Sequence, residues 1–189
     1  MAVRLLSALA SIPIVLIAIW LGPPWLTFVV TLAALVGLAE FNAIARKAGA
    51  SPLLPFGVVW SLLFILDARL NGSYIAPIVL GGILLSALWF LARRQREGLL
   101  SNWALTLTGP LYISLLLSYA LLLRQATHGR EWLMLAVLAT FATDTAAFFT
   151  GRALGRHPLA PSIRPHKTWE GALGGWAGAV GAALRFLED

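Results

Sequence analysis

The sequence predicts an all-α fold, a polytopic bundle of about seven transmembrane helices that forms one integral membrane domain over residues 1–189. Of the 189 residues, 59% are hydrophobic and only 12% are charged, whereas soluble globular proteins contain about 45–50% apolar and about 25% charged residues. The apolar residues fall into runs close to the roughly 20 residues that a helix needs to cross about 30 Å of hydrocarbon. The chain has no cysteine, which excludes disulfides, thiolate metal sites and cysteine nucleophiles.

The first two predicted spans cover residues 5–21 and 24–45 and are separated at Pro23. The first span follows Arg4 and resembles the charged start and apolar core of a signal peptide. No clear small-residue cleavage pattern follows Trp20, however, and further spans come after it. We therefore interpret the first run as a membrane helix.

Turn or polar signals separate the remaining spans. Ser51–Pro52 and Asn71–Gly72 bracket the third span, which is short and has Asp67 near its edge. A polar stretch over residues 93–102 precedes the fifth span. The five predicted spans are 53–68, 74–92, 103–123, 131–150 and 172–187. No linker between them is long enough to hold a soluble domain.

The basic residues are distributed unevenly between alternate loops, which predicts the orientation, since cytoplasmic loops carry an excess of lysine and arginine. The richer side carries Arg4, Arg46, Lys47, Arg93, Arg94, Arg96, Arg152, Arg156, Arg164 and Lys167, and the other side carries only Arg69, Arg124, Arg130 and Arg185. We therefore expect the basic loop at residues 151–168 to face the cytosol. The net charge is +6, and we expect the basic residues of the loops to contact anionic lipid headgroups. A nucleic-acid partner is not expected.

Residues 143–175 bring acid, base and glycine together inside an apolar chain. Asp144 lies midway along the run LAVLATFATDTAAFFTG, and a carboxylate at membrane depth is costly unless it is paired, hydrated or metal-bound. Its spacing places it on one helical face with Thr140, Phe148 and Gly151. A carboxylate near a cytosolic mouth suits Mg²⁺, which takes oxygen ligands. The alternative is a structural carboxyl group, satisfied by Thr140 or by a basic residue of a neighbouring helix.

The predicted loop at residues 151–168 combines cations with prolines. The cations are Arg152, Arg156, Arg164 and Lys167, and the prolines are Pro158, Pro161 and Pro165. Because proline restricts the backbone, we expect this loop to hold one shape beside Asp144 and to clamp phosphates. The alternative is an ordinary positive-inside loop in contact with anionic lipid. His157 and His166 show no metal-ligand spacing and are expected to touch phosphate or nothing.

The residues that open the last predicted span are Lys167, Thr168, Glu170 and Gly171. Thr168 is expected to cap this helix, and Glu170 to complement the positive end of its macrodipole. The same helix start, with free N–H groups and Lys167 beside it, is also an anion site. A P-loop is excluded, because the two positions that require glycine hold His166 and Pro161. We expect the following glycines to allow close helix packing: Gly171, Gly174, Gly175, Gly178 and Gly181.

In order and spacing, these residues resemble the phosphatidate cytidylyltransferase family, also called CDP-diacylglycerol synthase. The positions that carry the resemblance are Asp144, Phe148, Gly151, Gly155, Leu159–Ala160–Pro161, Pro165, Lys167–Thr168–Trp169–Glu170–Gly171 and Gly174–Gly175. Upstream, the resemblance extends through Gly109–Pro110–Leu111–Tyr112 and the Arg4-led first span, and so over the whole chain.

The resemblance implies a membrane enzyme, in a bacterial inner membrane, that joins CTP to phosphatidate with Mg²⁺ and gives CDP-diacylglycerol and pyrophosphate. It implies Asp144, Lys167 and Glu170 as catalytic residues. Asp144 would be the metal ligand, Lys167 a phosphate-neutralising cation, and Glu170 a residue that shapes the nucleotide and metal site. The substrate-binding residues that it implies are Arg152, Arg156, Arg164, His166, Thr168, Gly171 and Gly175. A homodimer is compatible with this interpretation.

Two departures from the family pattern bear on activity. Arg164 stands where the family usually has the serine of an S-P-x-K-T motif, and the sequence stops at Asp189, before a second acidic signature of the family. Since a two-metal clamp needs several carboxylates, we expect little or no activity from this chain alone. Two alternatives stay open. The first alternative is a non-catalytic membrane subunit of the same fold. The second is a small transporter that uses Asp144 as its coupling carboxylate.

Overall fold

The computed structural model describes residues 2–93, 98–160 and 164–188. The protein is an all-helical membrane protein with one short strand pair in this part of the chain, so the predicted fold class is confirmed. The internal contacts divide the chain into two compact units, Met1–Arg130 and Glu131–Asp189. We describe each unit by itself.

Each predicted span coincides with a helical segment, with boundaries that differ by a few residues. The first unit contains α1 (Ala2–Leu21), α2 (Pro23–Lys47), α3 (Leu54–Arg69), α4 (Ile75–Ala92) and a continuous helical segment made of α5 (Leu99–Gly109), a π-helical turn (Pro110–Leu115) and α6 (Leu116–Gln125). The second unit is built from α7 (Gly129–Leu154), β1 (Pro158–Ala160), β2 (Arg164–Thr168) and α8 (Trp169–Glu188). Within the described part of the chain, four segments are long and apolar enough to cross a membrane, fewer than the seven predicted spans: Pro23–Lys47, Ile75–Ala92, Leu99–Gln125 and Gly129–Leu154.

Hydrogen bonds between helices hold the first unit together. The Ser114 hydroxyl donates to Ser61 Oγ over 2.7 Å, with both side chains buried. The Trp60 indole donates to the Ile78 carbonyl over 2.9 Å, and a β-carbon at Gly82 would collide with the same indole ring. Small and hydroxyl-bearing residues typically mediate helix association in lipid, because the hydrophobic effect does not drive helices together there. These contacts position α3 against α4 and the π-helical turn.

The turn after α3 is organised by Asp67, whose side chain is only 3% exposed. Its Oδ1 accepts from the Tyr74 backbone N–H over 2.8 Å, and its backbone carbonyl accepts from the N–H groups of Leu70 and Gly72. The adjacent Asn71 and Gly72 both have positive φ. The short third span is therefore a helix that ends in a tightly hydrogen-bonded turn.

The π-helical turn begins at Pro110, which lies inside an otherwise regular helical segment. Proline has no N–H to give to the preceding turn, and a wider turn is one way a helix accommodates this. Thr106, Pro110, Ser114 and Ser118 are all buried. The inward face of this segment is thus lined largely by small and polar residues.

Close packing of α7 against α8 defines the second unit. A β-carbon at Gly178 would lie 2.5 Å from Ala146 Cβ, and one at Gly175 would lie 3.0 Å from Ala147 Cβ. At Gly174 the added atom would collide with the Thr150 side chain. The predicted packing role of these glycines is therefore confirmed. Gly181 differs, because a β-carbon there would meet no atom of the described chain within 4 Å.

The segment expected to be a basic loop, residues 151–168, contains regular structure. Its first residues complete α7, which ends at Leu154, and an antiparallel hairpin follows. Pro158 pairs with Thr168 and Ala160 with Arg164, with an irregularity between the two pairs. Prolines are tolerated here because both strands of a two-stranded hairpin are edge strands.

Candidate functional site

A cavity of about 550 Å³ lies in the second unit, where α7, the hairpin and α8 meet. Its walls are formed by Asp144, Ala147, Phe148, Gly151, Arg152, Leu159, Lys167, Thr168, Gly171 and Ala172. The structure thus brings together five residues that the sequence singled out: Asp144, Arg152, Lys167, Thr168 and Gly171.

Asp144 supplies the carboxylate of this cavity, with an exposed side chain on the α7 face that also carries Phe148 and Gly151. The neighbouring Thr140 donates its hydroxyl to the Ala136 carbonyl over 2.8 Å, within its own helix. Thr140 therefore does not donate to Asp144, which removes one of the two partners that the structural alternative named. Asp144 lines the cavity, and a carboxylate is suited to a hard cation.

Lys167 and Arg152 supply the positive charge. Lys167 is exposed on β2 and Arg152 is exposed in the last turn of α7, and both line the cavity with Asp144. A carboxylate and two basic side chains around one cavity can bind a metal–phosphate group. The carboxylate is a ligand for the metal ion, and the basic side chains neutralise the remaining charge of the phosphate oxygens.

Mg²⁺ fits the donor set only in part. It commonly uses one or two carboxylates together with substrate phosphates, and Asp144 offers one such ligand at the cavity wall. Across residues 2–93, 98–160 and 164–188, no group of three or more histidine, aspartate or glutamate residues is arranged to hold a metal ion. A metal ion held by Asp144 would therefore need further oxygen ligands from a bound molecule or from water.

Thr168 joins the hairpin to α8 and caps that helix, as expected from the sequence. Its Oγ1 accepts from the Gly171 backbone N–H over 3.2 Å, the geometry of a helix N-cap. A β-carbon at Gly151 would lie 3.2 Å from this oxygen, and one at Gly155 would lie 2.8 Å from it. The glycines of α7 and of the following turn thus leave room for the capping hydroxyl.

Glu170 lies outside the cavity wall and is held by the start of the hairpin. Its Oε1 is 2.6 Å from His157 Nδ1, and its Oε2 accepts from the backbone N–H groups of Arg156 and His157 over 3.2 and 3.3 Å. The hydrogen bond from His157, followed by those from the backbone, lowers the pKa of Glu170 to about 2. The structure thus places Glu170, a predicted site residue, beside the cavity in a network of hydrogen bonds with Arg156 and His157.

The remaining predicted residues are placed as follows. The Arg156 backbone contacts Glu170, and Gly175 lies at the α7–α8 contact, near Thr143 and Ala147. Arg164 and His166 belong to β2, and their side chains lie outside the described residues. Sequence reasoning missed the role of His157. No sequence signal pointed to it, because it depends on the hairpin, in which pairing of Pro158 with Thr168 brings His157 next to the first turn of α8.

Comparison with known proteins assigns the family. The model of the cytidylyltransferase family matches residues 2–188, nearly the whole chain. The chain belongs to the cytidylyltransferase family. A phosphatidate cytidylyltransferase of Brucella suis biovar 1 (strain 1330) is 30% identical to this chain over 191 aligned positions, which cover 96% of the chain and 65% of the relative. The chain thus spans about two thirds of the length of that relative.

Two further relatives match over shorter stretches. A phosphatidate cytidylyltransferase of Haemophilus influenzae is 39% identical over 61 residues, or 32% of this chain and 21% of the relative. One of Mycobacterium tuberculosis (strain ATCC 25618 / H37Rv) is 28% identical over 85 residues, or 45% of this chain and 26% of the relative. With its long apolar helices, the chain is an integral membrane protein.

Proposed function

We propose that this chain carries the nucleotide-binding part of a membrane phosphatidate cytidylyltransferase, which condenses CTP with phosphatidate to give CDP-diacylglycerol and pyrophosphate in phospholipid synthesis. The single observation that carries the proposal is the cavity in which Asp144, Lys167 and Arg152 converge beside the capped start of α8. The family match over residues 2–188 supports the same reaction class. The relatives' names supply the two substrates.

In this reaction an oxygen of the phosphatidate phosphate attacks the α-phosphorus of CTP. The bond between that phosphorus and the oxygen bridging to the β-phosphate breaks, and pyrophosphate leaves with the electron pair. Catalysis of such transfers is mostly positioning and neutralisation of charge. Bound Mg²⁺ would supply charge neutralisation at the phosphate oxygens, with Asp144 as its protein ligand.

The chain's own residues would orient the nucleotide. Lys167 and Arg152 neutralise the phosphates from opposite elements, β2 and α7. The start of α8 adds the positive end of its helix dipole. The Trp169 and Gly171 N–H groups donate to the His157 carbonyl and to Thr168 Oγ1, and these bonds keep that helix start fixed. Gly171 allows α8 to approach α7 closely at the cavity, since a β-carbon there would lie 3.0 Å from the Ala147 carbonyl oxygen.

The basic residues support a location in a bacterial inner membrane, with residues 151–168 facing the cytosol. Cytosolic CTP would then enter the cavity from the side where the basic loops lie. Within the described chain the cavity has one carboxylate. We therefore expect the isolated chain to bind nucleotide and to form little or no product.

The test uses the full 189-residue chain in lipid nanodiscs, with CTP binding measured by calorimetry at fixed Mg²⁺ and product formation measured with labelled CTP and phosphatidate. Asp144→Asn and Lys167→Ala are each expected to weaken CTP binding by about tenfold or more, as loss of a charge-assisted contact would. Glu40→Gln and Lys47→Ala, which remove exposed charges of the first unit, are the matched controls and should leave binding unchanged.

Wild-type protein that binds no CTP, or binding that Asp144→Asn and Lys167→Ala leave intact, would contradict the proposal. Proton-coupled flux across liposomes that depends on Asp144 would instead support the transporter. Activity that appears only on adding a partner protein would support the non-catalytic subunit.

A further inference from the structure

The Glu170 carboxylate already has three protein donors. Oε1 bonds His157 Nδ1 at 2.6 Å, and Oε2 receives the backbone N–H groups of Arg156 and His157. Because a carboxylate oxygen can only accept, Nδ1 of His157 carries the hydrogen in this bond. A carboxylate engaged on both oxygens is poorly placed to bind a metal ion or to accept a substrate proton.

A fourth contact runs in the same place but does not involve the Glu170 side chain. The Trp169 backbone N–H donates to the His157 carbonyl over 2.9 Å, and the first strand pair, Pro158 with Thr168, follows directly. The first turn of α8 is therefore bonded to both the backbone N–H and the backbone carbonyl of His157, directly before β1. The hairpin cannot tilt without breaking these bonds.

The cavity depends on this attachment. Leu159 and Lys167, both of which line the cavity, are neighbours in sequence of the paired residues Pro158 and Thr168. The position of the Lys167 backbone, from which its side chain reaches the cavity, therefore follows from the position of the hairpin base. The pKa of Glu170, lowered to about 2 by these donors, keeps the carboxylate charged across the physiological range.

We propose that Glu170 and His157 are a positioning pair, whose carboxylate–imidazole bond fixes the hairpin base so that Lys167 is held at the cavity. This rests on the proposed function for what the cavity binds. It assigns a role to His157 that sequence reasoning left open, and it makes Glu170 a positioning residue in place of a metal ligand or catalytic acid.

The test is a double-mutant cycle with Glu170→Ala, His157→Ala and the double variant, each as the full 189-residue chain in nanodiscs. The first readout is hydrogen exchange at the backbone amides of Arg156, His157 and Trp169. Each single variant should speed this exchange by about tenfold or more, since hydrogen bonds to charged groups are among the stronger ones. His157→Ala should add little once Glu170 is alanine, because coupled residues are not additive.

The second readout is the apparent Kd for CTP with Mg²⁺, and it should weaken in parallel with exchange. His157→Asn places an amide N–H near the position of Nδ1 and should restore slow exchange and CTP binding. Glu40→Ala, an exposed carboxylate of the first unit, is the control and should change neither readout. Circular dichroism establishes that each variant retains its helices, and Glu170→Gln replaces Glu170→Ala if the latter does not fold.

Two results would contradict the proposal that Glu170 and His157 are a positioning pair. One is a double variant whose effects are the sum of the singles. The other is loss of CTP binding in Glu170→Ala with unchanged exchange, as a direct metal ligand would give. If the wild type binds no CTP, the proposed function fails, and the exchange measurements alone decide whether the pair exists.

Discussion

The Arg124 side chain replaces a backbone hydrogen bond that Pro23 cannot make. Arg124 Nε donates to the Ile19 carbonyl over 3.2 Å, across the junction of α1 and α2. In a continuous helix this carbonyl would accept from the N–H four residues later, and that residue is Pro23, which has none. The guanidinium also complements the negative end of the α1 dipole. A basic residue on the side of the chain poorer in lysine and arginine thus has a structural role.

Replacing Arg124 should destabilise the first unit. Arg124→Ala leaves the buried Ile19 carbonyl without its donor, and we expect a loss of about 1–3 kcal/mol in the free energy of unfolding. Thermal unfolding in detergent, followed by circular dichroism, measures it. Arg69→Ala, an exposed arginine at the end of α3, is the matched control. Equal melting temperatures for the two variants would contradict the role of Arg124.

The contact between α7 and α8 predicts different outcomes for two glycines of the same helix. Gly178→Ala places a methyl group 2.5 Å from Ala146 Cβ and should cost about 1–3 kcal/mol, as overpacking usually does. Gly181→Ala meets open space and should be neutral or slightly stabilising, since alanine favours helix more than glycine. Melting temperatures of the two variants, measured side by side, test this. Equal destabilisation would show that the helices are not packed as described.

The turn after α3 predicts that Asp67 is needed for its acceptor oxygen and not for its charge. Asp67→Ala leaves the Tyr74 N–H unpaired, at an expected cost of about 1–3 kcal/mol. Asp67→Asn keeps an oxygen at the same place and should retain most of the stability. Denaturant unfolding of both variants gives the comparison. An asparagine variant as unstable as the alanine variant would indicate that the charge matters.

The lowered pKa of Glu170 predicts a pH dependence with a definite sign. Its folded value of about 2 lies below the ordinary 4.5, so ionisation of Glu170 favours the folded state. This contribution is complete above about pH 5 and is lost as pH falls from 4.5 toward 2. The stability difference between wild type and Glu170→Gln should therefore shrink over that range. Unfolding curves at several pH values measure the difference, and one that grows on acidification would contradict the hydrogen-bonding pattern.

The helices were predictable because the length of an apolar run is a direct consequence of bilayer thickness. The predicted span 74–92 became Ile75–Ala92, and 131–150 became the longer Gly129–Leu154. The grouping of Asp144 with Lys167 and Thr168 was also predicted, from the order of acid, base and glycine. It lies at the cavity in the structure.

The hairpin and the Glu170–His157 bond were not predicted, for a physical reason. Strand pairing depends on which residues meet across a turn, and the prolines at positions 158 and 165 read as loop signals. The thirteen-residue separation of His157 and Glu170 has no helical periodicity that could suggest contact. The π-helical turn was hidden as well, because Pro110 interrupts an apolar run without changing its hydropathy.

The π-helical turn also sets the angular register of the segment that contains it. Thr106, Pro110, Ser114 and Ser118 recur every four residues, and a helix of 3.6 residues per turn rotates such a row by about 40° at each step. The i→i+5 bonding of a π-helical turn winds more slowly and takes part of this rotation back, so the four side chains stay inward together. Rewinding this turn as a regular α-helix with all of its residues would swing everything beyond it by about 100°, the rotation of one residue. Ser118 would then face lipid, and Arg124 would lose the Ile19 carbonyl.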